Sequence, residues 1–332
     1  MDTRLFLASD EGLLAVHSNA GEWQTRPTQL PGKGLTAVAA APASLMAGAR
    51  DGLFRSEDGG EHWEEVADLA GKHVRWLAFG PGDDGLALAG LEPAAIYYSA
   101  DDGETWTEAP EVAALRDEMD WFLPYSPEAG CVRGFAFHGR RVYAAVEVGG
   151  LLRSDDGGRQ WRLVDGSDGR PSTGRPQPGY VQSDVHSVTG HPAGADLLYA
   201  PTGGGFYVST DGGATFEPRY QNCYVRAVWV DPADADHLLL GPADGVSRNG
   251  RIEESHDQGR SWHLATSGLD TPWPRRMVER FVALPGPLDE DEGLAILSVG
   301  KMWRASVGDW AWQRFWPEAP PVRAAAFLND SG

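Results

Sequence analysis

The sequence predicts an all-β protein built from tandem repeats, either a solenoid or a propeller. One observation is a short polar phrase, Ser-x-Asp-x-Gly-x-x-Trp, that recurs along the chain, and the other is a strand-like run before each copy. Five copies, separated by 43, 55, 55 and 46 residues, begin at Ser56, Ser99, Ser154, Ser209 and Ser255. Repeats of this period are typical of folds whose units stack against their neighbours.

The repeated phrase has the chemistry of a tight turn. Ser and Asp side chains bond nearby backbone N–H groups, Gly supplies a positive φ, and the closing aromatic residue buries itself beside the next sheet. In the fourth copy, Phe216 replaces the tryptophan. Carboxylates at five equivalent turns cannot converge on one substrate. We therefore expect these acids to be structural: Asp58, Asp101, Asp156, Asp211 and Asp257.

The phrase resembles the Asp-box, or bacterial neuraminidase repeat, whose family folds as β-propellers and includes sialidases, other glycosidases, sorting receptors and photosystem assembly factors. The resemblance implies that each phrase joins the third and fourth strands of a four-stranded antiparallel blade. Arg4 to Trp23 and Lys301 to Trp312 then supply two further blades with degenerate turns. The expected fold is a seven-bladed β-propeller that occupies residues 1–332 as one domain.

The innermost strands are predicted from a recurring apolar, β-prone pattern. The runs begin at Gly34, His73, Cys131, Asp184, Tyr224 and Val278, and a second apolar run follows each of them. The first blade lacks an innermost strand, whereas VRAAAFL from Val322 has nothing after it to pair with. We therefore predict that the C-terminal strand pairs with the N-terminal blade and closes the ring, which removes exposed sheet edges.

Three stretches are longer than the repeat requires. They cover 111–130, with a predicted short helix over VAALRDEM, and 165–183 and 267–277. Each joins an outermost strand to the next innermost one, so all three lie on the face where the innermost strands begin. Long loops on a rigid scaffold commonly carry function. We therefore expect the functional site on this face.

One column of the aligned innermost strands is unusually basic. It contains Thr36, Arg75, Arg133, His186, Arg226, Arg280 and Arg323. Converging guanidinium groups predict a mouth on the ring axis that binds a small carboxylate or another anion, because the planar fork of arginine suits such oxygens. The alternative is a structural register in which each arginine pairs with an acid of the next blade, Glu92 and Glu147 being candidates.

A lid over this mouth is expected from the first insertion, with Asp120, Trp121 and Tyr125 beside the ligand. Three functions stay open. The first is a binding or assembly propeller that captures a small anion or an acidic peptide. The second is an enzyme, either a glycoside hydrolase or a lyase acting on a carboxylate-bearing substrate, with Tyr125, Glu147 and His186 as catalytic residues. The third is an interaction module without a small-molecule site.

The sialidase part of the resemblance does not transfer residue by residue, because the Arg-Ile-Pro phrase is missing. The net charge of −20 argues against nucleic-acid and anionic-membrane partners. We see no signal peptide and no apolar run of the ~20 residues that cross a bilayer. Two cysteines are too few for a disulfide framework. The expectation is a monomeric cytoplasmic protein without a cofactor or a metal site.

Overall fold

The computed structural model describes residues 3–19, 22–122, 130–172, 174–284 and 292–329. Within these residues, 28 β-strands form seven four-stranded antiparallel sheets, the blades of a closed ring. Blade 1 contains both chain ends and consists of β1 (Thr3–Ser9), β2 (Gly12–Asn19), β3 (Glu22–Thr25) and β28 (Val322–Asn329). Blade 2 consists of β4 (Leu35–Ala41), β5 (Ser44–Ala49), β6 (Leu53–Ser56) and β7 (Glu64–Glu65), and blade 3 of β8 (His73–Phe79), β9 (Ala87–Glu92), β10 (Ile96–Ser99) and β11 (Thr107–Ala109). Blade 4 consists of β12 (Cys131–His138), β13 (Arg141–Glu147), β14 (Gly150–Ser154) and β15 (Arg162–Leu163).

The second half of the ring has the same architecture. Its blades are blade 5, β16 (Thr189–His191), β17 (Gly194–Thr202), β18 (Gly205–Ser209) and β19 (Glu217–Gln221); blade 6, β20 (Tyr224–Asp231), β21 (Asp234–Ala243), β22 (Glu253–Ser255) and β23 (His263–Leu264); and blade 7, β24 (Val278–Leu284), β25 (Glu292–Leu297), β26 (Met302–Ser306) and β27 (Gln313–Phe315). The predicted seven-bladed, four-stranded fold is therefore confirmed.

The ring closes as the sequence predicts. Strand β28 pairs antiparallel with β1, from Thr3 opposite Asn329 to Ser9 opposite Val322. The C-terminal segment is thus the innermost strand of blade 1, and β1, β2 and β3 follow it outward. This pairing leaves no free sheet edge between β1 and β28, and backbone hydrogen bonds join the two end segments of the chain.

Two short helical segments interrupt the strands in the described part of the chain. A single 3₁₀ turn covers Ala67–Leu69, and the helix α1 covers Pro110–Met119. Proline at the first helical position lacks an N–H that would be unpaired there in any case, so it suits this helix start. Helix α1 includes the predicted VAALRDEM segment. No helix in the described ranges is long and apolar enough to span a bilayer.

The innermost strand of blade 5 is shorter than predicted. The sequence pattern starts it at Asp184, whereas β16 starts at Thr189, and only an isolated bridge joins Val185 to Thr202. The intervening side chains instead bond to the next blade. Ser187 donates its hydroxyl to Arg226 O at 3.0 Å. These sideways bonds replace a regular ladder within blade 5.

Adjacent blades are held together by a repeated contact between a valine and a glycine. Each valine stands near the start of an innermost strand and packs on a glycine in the second strand of the preceding blade. A Cβ atom built on the glycine would lie 2.5 to 2.6 Å from the valine in three pairs: Gly48 with Val74, Gly90 with Val132, and Gly241 with Val278. The missing side chain therefore sets how closely the blades approach one another.

We predict that Gly90→Ala destabilises the protein by about 1–3 kcal/mol, because the added methyl group overpacks the Val132 contact. Gly82→Ala is the matched control, since its built Cβ meets nothing closer than Asp84 Oδ1 at 3.7 Å. The measurement is the free energy of unfolding from chemical denaturation. Equal stabilities for the two variants would contradict this account of blade packing.

Candidate functional site

The basic column coincides with a β-bulge in the innermost strands. The pairing with the second strand skips one residue between Leu35 and Ala37, Val74 and Trp76, and Val132 and Gly134, and it skips two residues between Val225 and Val228. A similar shift in blade 1 lies opposite Ala8 and Ser9. A bulge leaves an extra residue out of the ladder and re-aims its side chain. The residues at these shifts include Thr36, Arg75, Arg133, Arg226 and Arg323.

Blade 7 departs from the predicted column by one residue. Val278 pairs with Leu297 and Arg280 pairs with Ile296, so the bulged residue is Glu279. The alignment that puts Arg280 in the column is therefore wrong by one residue, because it is anchored on the first alternation of each strand and not on the valine before the bulge. Arg280 nevertheless faces the axial cavity from the position after the bulge.

A cavity of about 330 Å³ lies at the mouth of the ring. Its charged lining consists of Arg50, Arg75, Arg133, Arg226, Arg280, Arg323, Glu92, Glu147 and Glu279. Six arginines against three glutamates give the fully ionised lining a net charge of +3. The mouth is therefore basic although the chain as a whole carries −20.

Glu279 bridges two arginines inside this cavity. Its carboxylate lies 2.9 Å from Arg133 Nη2 and 2.6 Å from Arg226 Nη1. Arg133 belongs to blade 4, and blades 5 and 6 separate it from Glu279, so this ion pair crosses the axial hole. Although burial opposes ionisation of the carboxyl group, Arg226 and Arg133 lower the pKa of Glu279 to about 2. Glu279 therefore remains ionised in the physiological pH range.

Glu92 and Glu147 also contact arginines of the column, as the structural alternative expects. Arg75 Nε lies 3.3 Å from Glu92, and Arg133 Nη1 lies 3.4 Å from Glu147. The predicted geometry is wrong in one respect. Each glutamate ends the second strand of the same blade as its arginine, β9 beside β8 and β13 beside β12, and not that of the next blade.

Arg280 and Arg50 have no carboxylate within 4.0 Å among the residues that the structure describes. The Arg280 guanidinium instead lies over the Trp76 ring, 3.7 Å from its centre, and this contact also spans the hole, from blade 7 to blade 3. Burial and the nearby Arg133 lower the pKa of Arg280 to about 9. Arg50 is exposed at the rim of the cavity. Arg323 is paired with Asp10, which lies outside the lining, at 2.6 Å, so Arg280 and Arg50 carry the positive charge that remains unbalanced.

A second cavity of about 280 Å³ continues the hole further along the innermost strands. It shares Trp76, Arg226, Glu279 and Arg280 with the mouth, so these four side chains form the layer between the two spaces. Beyond this layer the lining is largely apolar and includes Leu77, Phe135, Val188, Val228 and Val282. The charged side chains are therefore concentrated in the mouth and in the layer that it shares with the second cavity.

Contrary to the prediction, His186 does not line the mouth. Its ring is buried, Nδ1 lies 2.7 Å from Val225 O, and Nε2 lies 3.2 Å from Asp184 Oδ1. Its ring centre is 4.6 Å from that of Tyr224. His186 lines neither axial cavity. The short backbone contact to blade 6 draws the imidazole between the blades, so it joins blade 5 to blade 6.

The predicted lid residues also lie away from the mouth. Asp120 is exposed and directly follows α1 as its C-cap, with a left-handed φ of 55°. Trp121 is buried and donates its Nε1–H to Gly169 O at 2.7 Å, which joins the insertions 111–130 and 165–183 to each other. Neither residue lines the mouth cavity. Tyr125 lies outside the described residues.

The Asp-box acids lie at the outer turns and bind their own turn. In the second copy, Asp101 Oδ1 accepts hydrogen bonds from Ser99 Oγ at 2.7 Å and from Thr105 N at 2.9 Å. Trp106 Nε1 donates to Gly103 O at 2.9 Å. The carboxylates of the other four copies make corresponding bonds within their own turns, those of Asp58, Asp156, Asp211 and Asp257. These five acids do not come together at any site.

Sequence reasoning missed two charged residues of the mouth, Arg50 and Glu279, and its tryptophan, Trp76. Counting from the valine near the start of the innermost strand, instead of from the first alternation, puts Glu279 in the column. The acidic residue directly before Arg280 in the strand VERFVAL is a second signal for Glu279. Nothing in the sequence brings Trp76 to Arg280, because that contact joins blades 3 and 7.

Comparisons with known proteins agree with this fold. The BNR/Asp-box repeat model matches residues 97–108. A xyloglucanase of Hypocrea jecorina is 22% identical over 288 residues, which are 74% of this chain and 33% of that enzyme. The chain spans between a tenth and a third of the length of the curated relatives it matches.

Solved structures extend the likeness over most of the ring. The GH74 xyloglucanase from Xanthomonas campestris aligns with a TM-score of 0.65 and 19% identity, covering 98% of this chain and 52% of that one. A structure of YCF48 bound to D1 peptide aligns with a TM-score of 0.57 and 14% identity, covering 88% and 84%. The chain is thus a seven-bladed β-propeller with BNR/Asp-box repeats.

We predict that Glu279→Gln lowers the free energy of unfolding at pH 7 by about 3 kcal/mol, because Arg133 and Arg226 lose their shared carboxylate. The pKa of Glu279 falls from 4.5 to about 2 on folding. Its stabilising effect is therefore complete above pH 4.5 and is lost as the pH falls through about 2. The stability gap between wild type and Glu279→Gln should close over this interval.

Asp10→Asn is the control, because its ion pair with Arg323 at 2.6 Å is exposed. Exposed pairs contribute about 0–1 kcal/mol, so this variant should stay close to wild type. Denaturant titrations at several pH values provide the measurement. A Glu279→Gln gap that is absent at pH 7, or that does not depend on pH, would contradict the bridging role of Glu279.

Proposed function

We propose that this protein is a binding propeller that captures a carboxylate group in its axial mouth, from a small molecule or from an acidic peptide. The observation that carries the proposal is the partly buried guanidinium of Arg280, which has no carboxylate within 4.0 Å among the described residues and lines a cavity with more arginines than glutamates. A buried cation without a counter-ion is costly. A bound carboxylate would supply the missing negative charge.

The shape of the lining supports a carboxylate as the ligand. Trp76 holds the guanidinium plane of Arg280 by stacking, and a fixed planar fork binds two carboxylate oxygens at once. Arg50 places a second positive charge at the entrance of the cavity, where a ligand would pass. A basic cavity with low-dielectric walls concentrates small anions, and the acidic outer surface of the protein disfavours large polyanions.

A peptide ligand is consistent with the similarity to the structure of YCF48 bound to D1 peptide. A glycoside hydrolase function, suggested by the xyloglucanase relatives, fits the mouth less well. Glycosidases need one carboxylic acid with a raised pKa to protonate the leaving group. Glu279 has the opposite property, because Arg226 and Arg133 keep its pKa at about 2 despite burial.

The test is calorimetric titration of the full chain with citrate and, separately, with the acidic peptide acetyl-Glu-Glu-Glu-Glu-amide. We expect Arg280→Gln to weaken binding by about 10–100-fold, the equivalent of one charge-assisted hydrogen bond. Arg140→Gln is the matched control, because it removes the same charge from an exposed outer position 3.9 Å from Asp84. Added NaCl should weaken wild-type binding by screening.

The two ligands distinguish the sources of the carboxylate. Tighter binding of citrate indicates a small-molecule site, whereas tighter binding of the peptide indicates a protein partner. Neutral xyloglucan oligosaccharides should neither bind nor be hydrolysed. Loss of affinity in Arg140→Gln equal to that in Arg280→Gln, or binding of neither acidic ligand, would overturn the proposal.

A further inference from the structure

A second polar cluster lies on the second and third strands of blade 6, and none of its residues lines the mouth. His237 stands on β21, Glu254 on β22, and His256 directly after β22. Their nitrogen and oxygen ligand atoms all lie within 4.8 Å of one another. His237 Nε2 is 2.8 Å from Glu254 Oε1, and His256 Nε2 is 3.4 Å from the same oxygen. Three atoms with lone pairs therefore converge.

Strand register brings these residues together. In the β21–β22 pair, Leu239 faces Glu254 and Leu238 faces Ser255. Side chains alternate between the two faces of a sheet, so His237, Glu254 and His256 share one face. The two imidazole rings stack with their centres 4.4 Å apart and their planes at 16°. Both Nε2 atoms lie near the same carboxylate oxygen, and the exposed His256 ring turns out of the stack when its in-plane lone pair is directed to the same point as that of His237.

Two further residues hold the cluster in place. Asp231 Oδ2 lies 3.0 Å from His237 Nδ1, and Trp310 donates its Nε1–H to Glu254 Oε1 at 2.6 Å. A carboxylate on the distant nitrogen of a histidine is the usual partner of a metal-binding imidazole, because it fixes the tautomer and the ring orientation. Asp231 and Trp310 thus provide the second layer of contacts that metal sites require.

The arrangement around His237 resembles that of a metal-bound histidine. Its Nδ1 contacts the Asp231 carboxylate, and its Nε2 faces Glu254 Oε1 at 2.8 Å. A carboxylate on the distant nitrogen directs the other nitrogen of an imidazole towards a ligand position. A second imidazole nitrogen, His256 Nε2, approaches the same carboxylate oxygen at 3.4 Å.

We propose that His237, Glu254 and His256 bind one Zn²⁺ ion. The observed separations of 2.8 and 3.4 Å bracket the edge of about 3.3 Å of a zinc tetrahedron whose ligands lie at about 2.0–2.1 Å. Imidazole ligands favour zinc over Mg²⁺ and Ca²⁺, which prefer oxygen. The His256 side chain is 62% exposed, which gives the ion access from solvent and leaves a fourth position for water.

The test uses the purified full chain, stripped of metal with EDTA and titrated with ZnCl₂ in a calorimeter. Wild type should bind one Zn²⁺ per chain. His256→Ala, at an exposed position that leaves the core intact, should lower the affinity at least about 100-fold, and Asp231→Asn should lower it about 10–100-fold. His138→Ala is the matched control, because it removes an exposed histidine from blade 4.

Substitution with Co²⁺ provides a readout that is independent of stability. The wild-type complex should show the visible absorption bands of four-coordinate Co²⁺, and Glu254→Gln should lose them while its circular dichroism spectrum remains that of a folded propeller. Zinc binding that His256→Ala and Glu254→Gln leave unchanged, or that His138→Ala reduces equally, would overturn the proposal. So would a wild-type chain that binds no zinc.

Discussion

The charge balance across the axial hole governs the mouth of this propeller. Bulges in the innermost strands direct several guanidinium groups towards one axis, where like charges about 4 Å apart repel by roughly 4 kcal/mol at an effective dielectric constant of about 20. Glu279 relieves part of this repulsion by bridging Arg133 and Arg226 across the hole. Because the compensation is incomplete, the mouth keeps a positive charge that a ligand can neutralise.

The bulges are effective because the blades are packed in a fixed relation to one another. The valine before each of three bulges rests on a glycine of the preceding blade, and the residue after that valine leaves the ladder. The Asp-boxes close the outer turns of the blades, and β28, the innermost strand of blade 1, closes the ring. The direction of each mouth side chain is therefore a consequence of the repeat itself. Residues such as Arg280 and Glu279 determine its charge.

Local chemistry made the fold predictable from sequence. The Asp-box phrase specifies a turn, alternating apolar residues specify strands, and the orphan strand from Val322 specifies ring closure. The site is predictable only in part, because the bulge puts Glu279 and not Arg280 in the column of blade 7, and only an alignment anchored on the valine before the bulge identifies it. The sequence predicts Trp121 and His186 at the mouth, whereas their ring nitrogens bond to Gly169 O and Val225 O in neighbouring segments. Contacts across the ring, such as Trp76 with Arg280, depend on closure and have no local signal.

The central claim is that the guanidinium group of Arg280 in the mouth binds a carboxylate group of an external ligand. A crystal structure of the protein grown with citrate tests it most directly. We expect carboxylate density in the 330 Å³ cavity, within hydrogen-bonding distance of the Arg280 guanidinium, with Glu279 still between Arg133 and Arg226. Water alone in this cavity, with Arg280 turned onto a glutamate of the protein, would contradict the claim.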